Sequence, residues 1–266
     1  MLPSYNDHAA AYIIGEVGSC HEGSLEIAKA MIRSAGSNAV KFQYFHSGKD
    51  VAARRKAPEY EAMYEKYRMP LEWLPLLAHE AMLADMDFLC TVYMPDDIAV
   101  VAPWVSAFKI ASPDSLDKKF IKAHLVYNKP IIISTGLLTH EELLKVVALR
   151  AEIGFDMIKL LHCVSAYPCP VAEINLDNIP RYGLDGFSDH TAQPCMGALA
   201  YMQGARIFEA HIRHYETSKD NPDYPHALVQ AQWSAYMNMI RMAEQAKGRR
   251  DKRTQLSEAP LRRFLA

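Results

Sequence analysis

Eight short apolar runs recur along the chain, each bounded by turn residues and separated from the next by stretches of helical period. The runs are AYIIGEV (11–17), AVKFQYF (39–45), FLCTVY (88–93), AFKIAS (107–112), PIIIST (130–135), IKLLHCV (158–164), GFSDH (186–190) and ARIFEAHI (205–212). The clearest helical patterns between them are SLEIAKAMIRSAG, LEWLPLLAHEAMLAD, THEELLKVVALRAEIG and AQPCMGALAYMQGA. Thr139 followed by Glu142 has capping-box spacing, and Gly36, Gly154 and Gly204 stand where helices should stop. Strict alternation predicts parallel strands joined by helical crossovers. Eight such units in 266 residues match a single-domain α/β fold, a TIM (β/α)8 barrel, better than an open doubly wound sheet, although patterning alone also admits two smaller α/β domains.

Every expected strand ends in a polar group: Glu16; Lys41 with Gln43; Thr91; Lys109 with Ser112; Ser134 with Thr135; Ser165; Ser188 to His190; Glu209 with His211. In a barrel the carboxyl ends of all parallel strands converge on one face, so these residues would line a shared polar mouth. Residues two apart in a strand point the same way, which pairs Lys41 with Gln43 and Glu209 with His211. A lysine inside an apolar strand is costly unless it meets an anion, making Lys41 and Lys109 candidates for a phosphate or carboxylate. The bland alternative is two lysines reaching outward between helices. His190 and His211 end consecutive strands and could share a divalent metal through neutral imidazoles; histidines satisfied by backbone carbonyls would give the same pattern. His162 and Cys163 are adjacent, hence on opposite faces, and do not make a nucleophile–base dyad.

The formal net charge of −2 gives no global attraction to nucleic acid or to an anionic membrane, and the basic run KGRRDKRTQLSEAPLRR (247–263) reads as a solvated tail over 247–266. Five scattered cysteines form neither a CxxC pair nor a disulfide framework, which fits a reducing cytoplasm and five inert buried thiols. The start MLPSYNDHAA lacks a basic, then apolar, leader, and no stretch approaches ~18 uninterrupted apolar residues. Neither a phosphate loop nor a dinucleotide fingerprint is present.

Several ordered blocks, IIGEVGSCHEGSLEIAKAMI, AVKFQYF, FLCTVY, AFKIASPDS, KPIIISTGL, LLHCVSAYP, GFSDHT and IFEAHI, run through nearly the whole chain. Together they resemble the N-terminal catalytic barrel of the N-acetylneuraminate (sialic acid) synthase family. The resemblance implies a TIM barrel that condenses phosphoenolpyruvate with the aldehyde of an open-chain amino sugar such as N-acetylmannosamine, giving a 2-keto-3-deoxy sugar acid and phosphate. It implies a divalent metal, commonly manganese, on His190 and His211, and a phosphoenolpyruvate cradle of Lys41, Thr91, Lys109, Ser112, Ser134 and Ser188. It also places Glu16 at the reacting centre, and Gln43, Tyr167 and Glu209 near the sugar or its aldehyde, with Asp223 as a further sugar contact. The family's NHNG is CHEG here (Cys20, Glu22) and its EKH is EAH; RHYETSKDNPDYPHAL (213–228), with Asp223 and His226, matches its Asp-His sugar loop only loosely. The chain ends at RRFLA, near the family's RRSL, so the resemblance implies a barrel without the antifreeze-like domain that follows there, and a homodimer. The alternatives are a synthase using another aldose or aldose phosphate, and a non-catalytic sugar- or anion-binding barrel acting as a partner subunit. A metal-dependent hydrolase would place a His-x-His pair on its first strand, which IIGEVG lacks.

Overall fold

A computed structural model describes residues 2–4, 10–248 and 252–265. Eight parallel strands close into a barrel in chain order: β1 (Tyr12–Glu16), β2 (Ala39–Tyr44), β3 (Asp87–Val92), β4 (Ala107–Ile110), β5 (Ile131–Ser134), β6 (Ile158–Cys163), β7 (Gly186–Asp189) and β8 (Ile207–His211). Seven of the eight lie inside the runs that predicted them, and β3 begins one residue before its run, at Asp87. Around them lie α1 (Leu25–Ala35), α2 (Gly48–Arg55), α3 (Glu61–Lys66), α4 (Trp73–Leu83), α5 (Ile98–Val101), α6 (Lys118–Leu125), α7 (His140–Ile153), α8 (Asn178–Tyr182), α9 (Met196–Met202) and α10 (Gln230–Lys247). The alternative of two smaller domains is thereby excluded.

Local chemistry sets these boundaries. Ser24 caps α1 by accepting from the Ile27 amide, and Gly36 ends it in the left-handed region. At α7 the capping box is complete, with Thr139 accepting from Glu142 N–H and the Glu142 carboxylate from Thr139 N–H.

Side chains alternate strictly along the strands, and the alternation builds two cores. Outward residues such as Phe42, Phe88, Phe108, Ile133, Phe187 and Phe208 are buried beneath the helices. Each is worth about 1.5–3 kcal/mol of transfer free energy. Inward, Ile14, Ala39, Leu89, Ala107, Ile132, Leu161 and Ile207 fill the barrel floor, joined by Leu2. The segment around Leu2 closes the amino-terminal end of the barrel, where Ser4 Oγ accepts from the buried Lys159 ammonium at 2.5 Å. Gly186 on β7 faces the β8 backbone so closely that a Cβ would collide with the Ile207 carbonyl. One inward step above the floor, the same registers present polar groups: Glu16 lies beside Lys41 and His211, Thr91 beside Gln43 and Lys109, and Ser188 beside Cys163 and Glu209.

Of the basic segment 247–266, residues 249–251 and 266 lie outside the described residues; Leu256–Phe264 forms a 3-10 helix. Among the described residues no helix is long and apolar enough to cross a membrane.

Candidate active site

The inward polar layer opens into a cavity of about 390 Å³ at the carboxyl ends of the strands. All the residues that the resemblance assigns to the site line it: Glu16, Lys41, Gln43, Thr91, Lys109, Ser112, Ser134, Tyr167, Ser188, His190, Glu209, His211 and Asp223. Thr135, Ser165 and Asp189, expected at the same mouth as strand-end polar groups, are not among the lining; Thr135 Oγ1 donates to the Leu161 carbonyl and Asp189 accepts from Thr191 instead. The expected alternative, lysines reaching outward between helices, does not occur.

The floor of the cavity is a buried ion network. Lys41 Nζ lies 2.5 Å from Glu16 Oε2 and 3.7 Å from Glu209 Oε2, and donates to Thr91 Oγ1 at 3.0 Å. Lys109 Nζ donates to Ser134 Oγ at 2.6 Å and stands 3.7 Å from Glu209 Oε1. Ser188 Oγ also donates to Glu209 Oε1, at 3.0 Å. These four charged side chains are each no more than 5% exposed. Burial alone would discharge Lys41, Lys109 and Glu209. For Glu209 the neighbouring Lys109, Lys41 and His211 outweigh burial and hold the carboxyl at about 2. Burial also acts against the Lys41 ammonium, but Glu16 and Glu209 more than compensate, and its pKa is raised. Lys109 differs: burial is only partly offset by Glu209, Lys41 repels it, and its pKa falls. Lys109 is thus the lysine more ready to release a proton.

Glu16 is oriented by Gln43, whose Nε2 donates to Glu16 Oε1 at 2.8 Å while its Oε1 accepts from Tyr93 OH at 2.9 Å. Ser112 Oγ accepts from Gly136 N–H at 3.1 Å, and a Cβ at Gly136 would run into the hydroxyls of Ser112 and Ser165.

The other side of the mouth is a cluster of rings. His190 and His211 have centroids 5.5 Å apart, His211 and His226 4.4 Å, and Tyr167 lies 4.3 Å from His190 and 5.0 Å from His226. His190 Nδ1 is 2.9 Å from the Val164 carbonyl, so one nitrogen of this histidine does find a backbone partner. Asp223 Oδ2 accepts from Ser19 N–H at 2.7 Å and lies 3.5 Å from His211 Nδ1, while Oδ1 lies 3.6 Å from His226 Nε2. Burial would raise the Asp223 carboxyl, but His211, His226 and the Ser19 amide hold it far below the usual range. Burial and the neighbouring His211 push His226 down to about 3, leaving it neutral at pH 7.

The expectation of five inert buried thiols needs two corrections. Cys195 is exposed. Cys163 faces the cavity, with His190 Nδ1 3.8 Å away and Ser112 Oγ 3.7 Å away. Burial would raise this thiol, yet His190 draws it below its ordinary value. Its chain neighbour His162 points outward, at 2.5 Å from the Ile174 carbonyl and stacked on Phe187, as strand alternation requires.

Sequence reasoning missed one wall. Tyr60, Met63, Tyr64 and Tyr67, from α3 and its flanks, line the cavity beside Phe45 and Tyr93. The segment packs against α2, where Gly48 N–H donates to Glu65 Oε1 at 2.6 Å, and α2 is itself anchored by Asp114, which pairs with both Arg54 and Arg55. An amphipathic helix whose apolar side faces a cavity reads in sequence like one facing a core, so only the run of tyrosines in YEAMYEKY hinted at a wall.

Comparison with known proteins agrees with this fold. Residues 27–252 match the NeuB family model. A pseudaminic acid synthase of Campylobacter jejuni subsp. jejuni serotype O:23/36 (strain 81-176) is 29% identical over 98% of this chain and 81% of its own length. An N,N'-diacetyllegionaminic acid synthase of Campylobacter jejuni subsp. jejuni serotype O:2 is 28% identical over 92% of this chain and 80% of its own. The crystal structure of an N-acetylneuraminic acid (sialic acid) synthetase from Leptospira borgpetersenii serovar Hardjo-bovis superposes with a TM-score of 0.87 at 23% identity, covering 98% of this chain and 93% of that one, a likeness of fold. With its family model matched over residues 27–252, well over half of the chain, the chain belongs to the NeuB family.

Proposed function

We propose that this protein condenses phosphoenolpyruvate with the aldehyde of an amino sugar resembling N-acetylmannosamine, yielding a sialic-acid-like 2-keto-3-deoxy sugar acid and inorganic phosphate. One observation carries the reading: two buried lysines from β2 and β4 share the Glu209 carboxylate and face hydroxyls of Thr91, Ser134 and Ser188 inside one cavity. Such an arrangement suits a small, multiply charged anion.

In this reading Lys41 and Lys109 neutralise the carboxylate and phosphate, while Thr91, Ser112, Ser134 and Ser188 donate hydrogen bonds. The methylene carbon of phosphoenolpyruvate attacks the aldehyde carbon, water adds at the carbon bearing phosphate, and phosphate leaves with cleavage of that C–O bond. Glu16, fixed by Gln43 and Lys41, accepts the proton of the attacking water or stabilises the positive charge that precedes its attack. Glu209 holds the lysines at their spacing, and Lys109, with its lowered pKa, is placed to return a proton. Gln43, Tyr167 and Asp223 flank the space left for the sugar.

The ring cluster fits a divalent metal, manganese by the resemblance, held at His190 and His211. His211 Nδ1 is buried without a hydrogen-bond partner, and His190 Nδ1 is engaged by Val164, which directs its other nitrogen elsewhere. Bound there, the metal would supply Lewis-acid polarisation of the aldehyde oxygen.

The test is phosphate release from phosphoenolpyruvate with a panel of aldoses and aldose phosphates, N-acetylmannosamine included, with manganese or with chelator. Release requiring both one sugar and metal, and falling about 10²–10³-fold in Lys109→Met, is expected. Sugar-independent release, or none from folded, metal-loaded protein, would overturn the reading in favour of a binding barrel.

A further inference from the structure

We propose that the metal centre at His190 and His211 is extended by two loop residues, Asp223 and His226, so that His211, Asp223 and His226 form a compact three-residue chelate beside His190. This rests on the metal-dependent reading above. It also assigns His226, a residue of the 213–228 loop, as a ligand.

Three observations converge. First, both ring nitrogens of His226 and Nδ1 of His211 are buried without a hydrogen-bond partner, and the His226 side chain is only 1% exposed. Orphaning a buried polar atom costs about 1–3 kcal/mol, so two orphans on one imidazole, facing a carboxylate, point to a ligand that satisfies them. Second, the donor atoms have metal-site spacing. Among the described residues, these three form a group whose ligand atoms all lie within 4.8 Å of one another. The separations of 3.5 Å and 3.6 Å from the carboxylate to the two imidazoles match the ~3.3–3.6 Å edge of a tetrahedron of ligands held at ~2.0–2.2 Å.

Third, the carboxylate is fixed by a built scaffold. Gly18, at φ +51°, is the residue whose Cβ would occupy the place of Asp223 Oδ2, and the next amide, Ser19 N–H, holds that oxygen. The loop is tied down further where Glu22 Oε1 accepts from Asn221 Nδ2 at 2.8 Å and Ser218 N–H at 3.0 Å. Asn221 in turn accepts from Ser19 Oγ at 2.6 Å. Glu22 is one of the residues by which CHEG departs from the family pattern, and here it braces the loop that carries Asp223 and His226.

The experiment is titration of chelator-treated protein with Co²⁺ and with Mn²⁺, without substrate, in wild type, His226→Gln, Asp223→Asn and His226→Cys, with circular dichroism to confirm folding. Loss of a directly bound ligand is expected to weaken Co²⁺ by more than the ~10–100-fold of a supporting partner. His226→Cys is expected to restore binding and to add a thiolate-to-Co²⁺ charge-transfer absorption absent in wild type. Retention of wild-type affinity within about threefold in folded His226→Gln, or a His226→Cys protein that binds Co²⁺ without the new absorption, overturns the proposal. Metal binding is read without turnover. Failure of the condensation assay with these titrations intact would therefore sink the synthase reading alone.

Discussion

Replacing Glu209 by Gln removes one buried anion that serves two buried cations. Lys41 and Lys109 both lie 3.7 Å from this carboxylate, and each is left facing the other across a neutral amide. Breaking a buried pair by removing one partner costs about 3–5 kcal/mol. The titration argument agrees: a fall of the carboxyl from 4.5 to about 2 corresponds to roughly 3 kcal/mol of stability. Because the folded-state value is depressed, that contribution is fully present above pH 4.5 and drains away as pH falls toward 2. At about 2–4 °C per kcal/mol, Glu209→Gln should melt roughly 10 °C below wild type at pH 7. It should also show a shallower loss of Tm than wild type between pH 4.5 and 2.5. Thermal melts by circular dichroism across this range measure both quantities. A variant melting within 2 °C of wild type at pH 7, with an unchanged acid limb, would refute the view that Glu209 is the keystone of the lysine pair.

Other substitutions probe the parts around it. Gly186→Ala sets a Cβ against the Ile207 backbone, and a loss of more than about 3 kcal/mol is expected by urea denaturation, unlike the few tenths typical of a surface change. Thr139→Ala removes the capping box of α7 and should cost about 1 kcal/mol, read as a Tm lower by about 2–4 °C with activity unchanged. Gly18→Ala strains a left-handed backbone and evicts Asp223 from its position. It should weaken Co²⁺ binding at least ~10-fold while far-ultraviolet dichroism stays native.

The barrel and its mouth were legible because both obey one rule of period two. Lys41, Lys109 and Glu209 stand out in sequence as charges inside apolar strands, and alternation alone sends them inward above Ala39, Ala107 and Ile207. Residues carried on loops obey no such period. His226 stands three residues beyond Asp223 in DNPDYPHAL, a spacing that says nothing of its approach to His211 until the Gly18–Ser19 turn and Glu22 fix the loop. Likewise, the tyrosines of α3 and its flanks look like a core face, and only the folded position of the segment over the strand ends shows that they wall the cavity. Cys163 was assigned to the inert thiols because a cysteine in an apolar strand usually packs; its inward parity, shared with Ser188, was the available signal.

Condensation, as opposed to simple phosphate hydrolysis, is tested most directly with phosphoenolpyruvate labelled with ¹⁸O at its bridging oxygen. Incubated with the acceptor sugar and metal, the enzyme should release phosphate that retains the label, because the C–O bond breaks, together with an unlabelled sugar acid at the bridging position. Label appearing in pyruvate, with phosphate released unlabelled and without need of sugar, would mean cleavage of the P–O bond and would contradict the account.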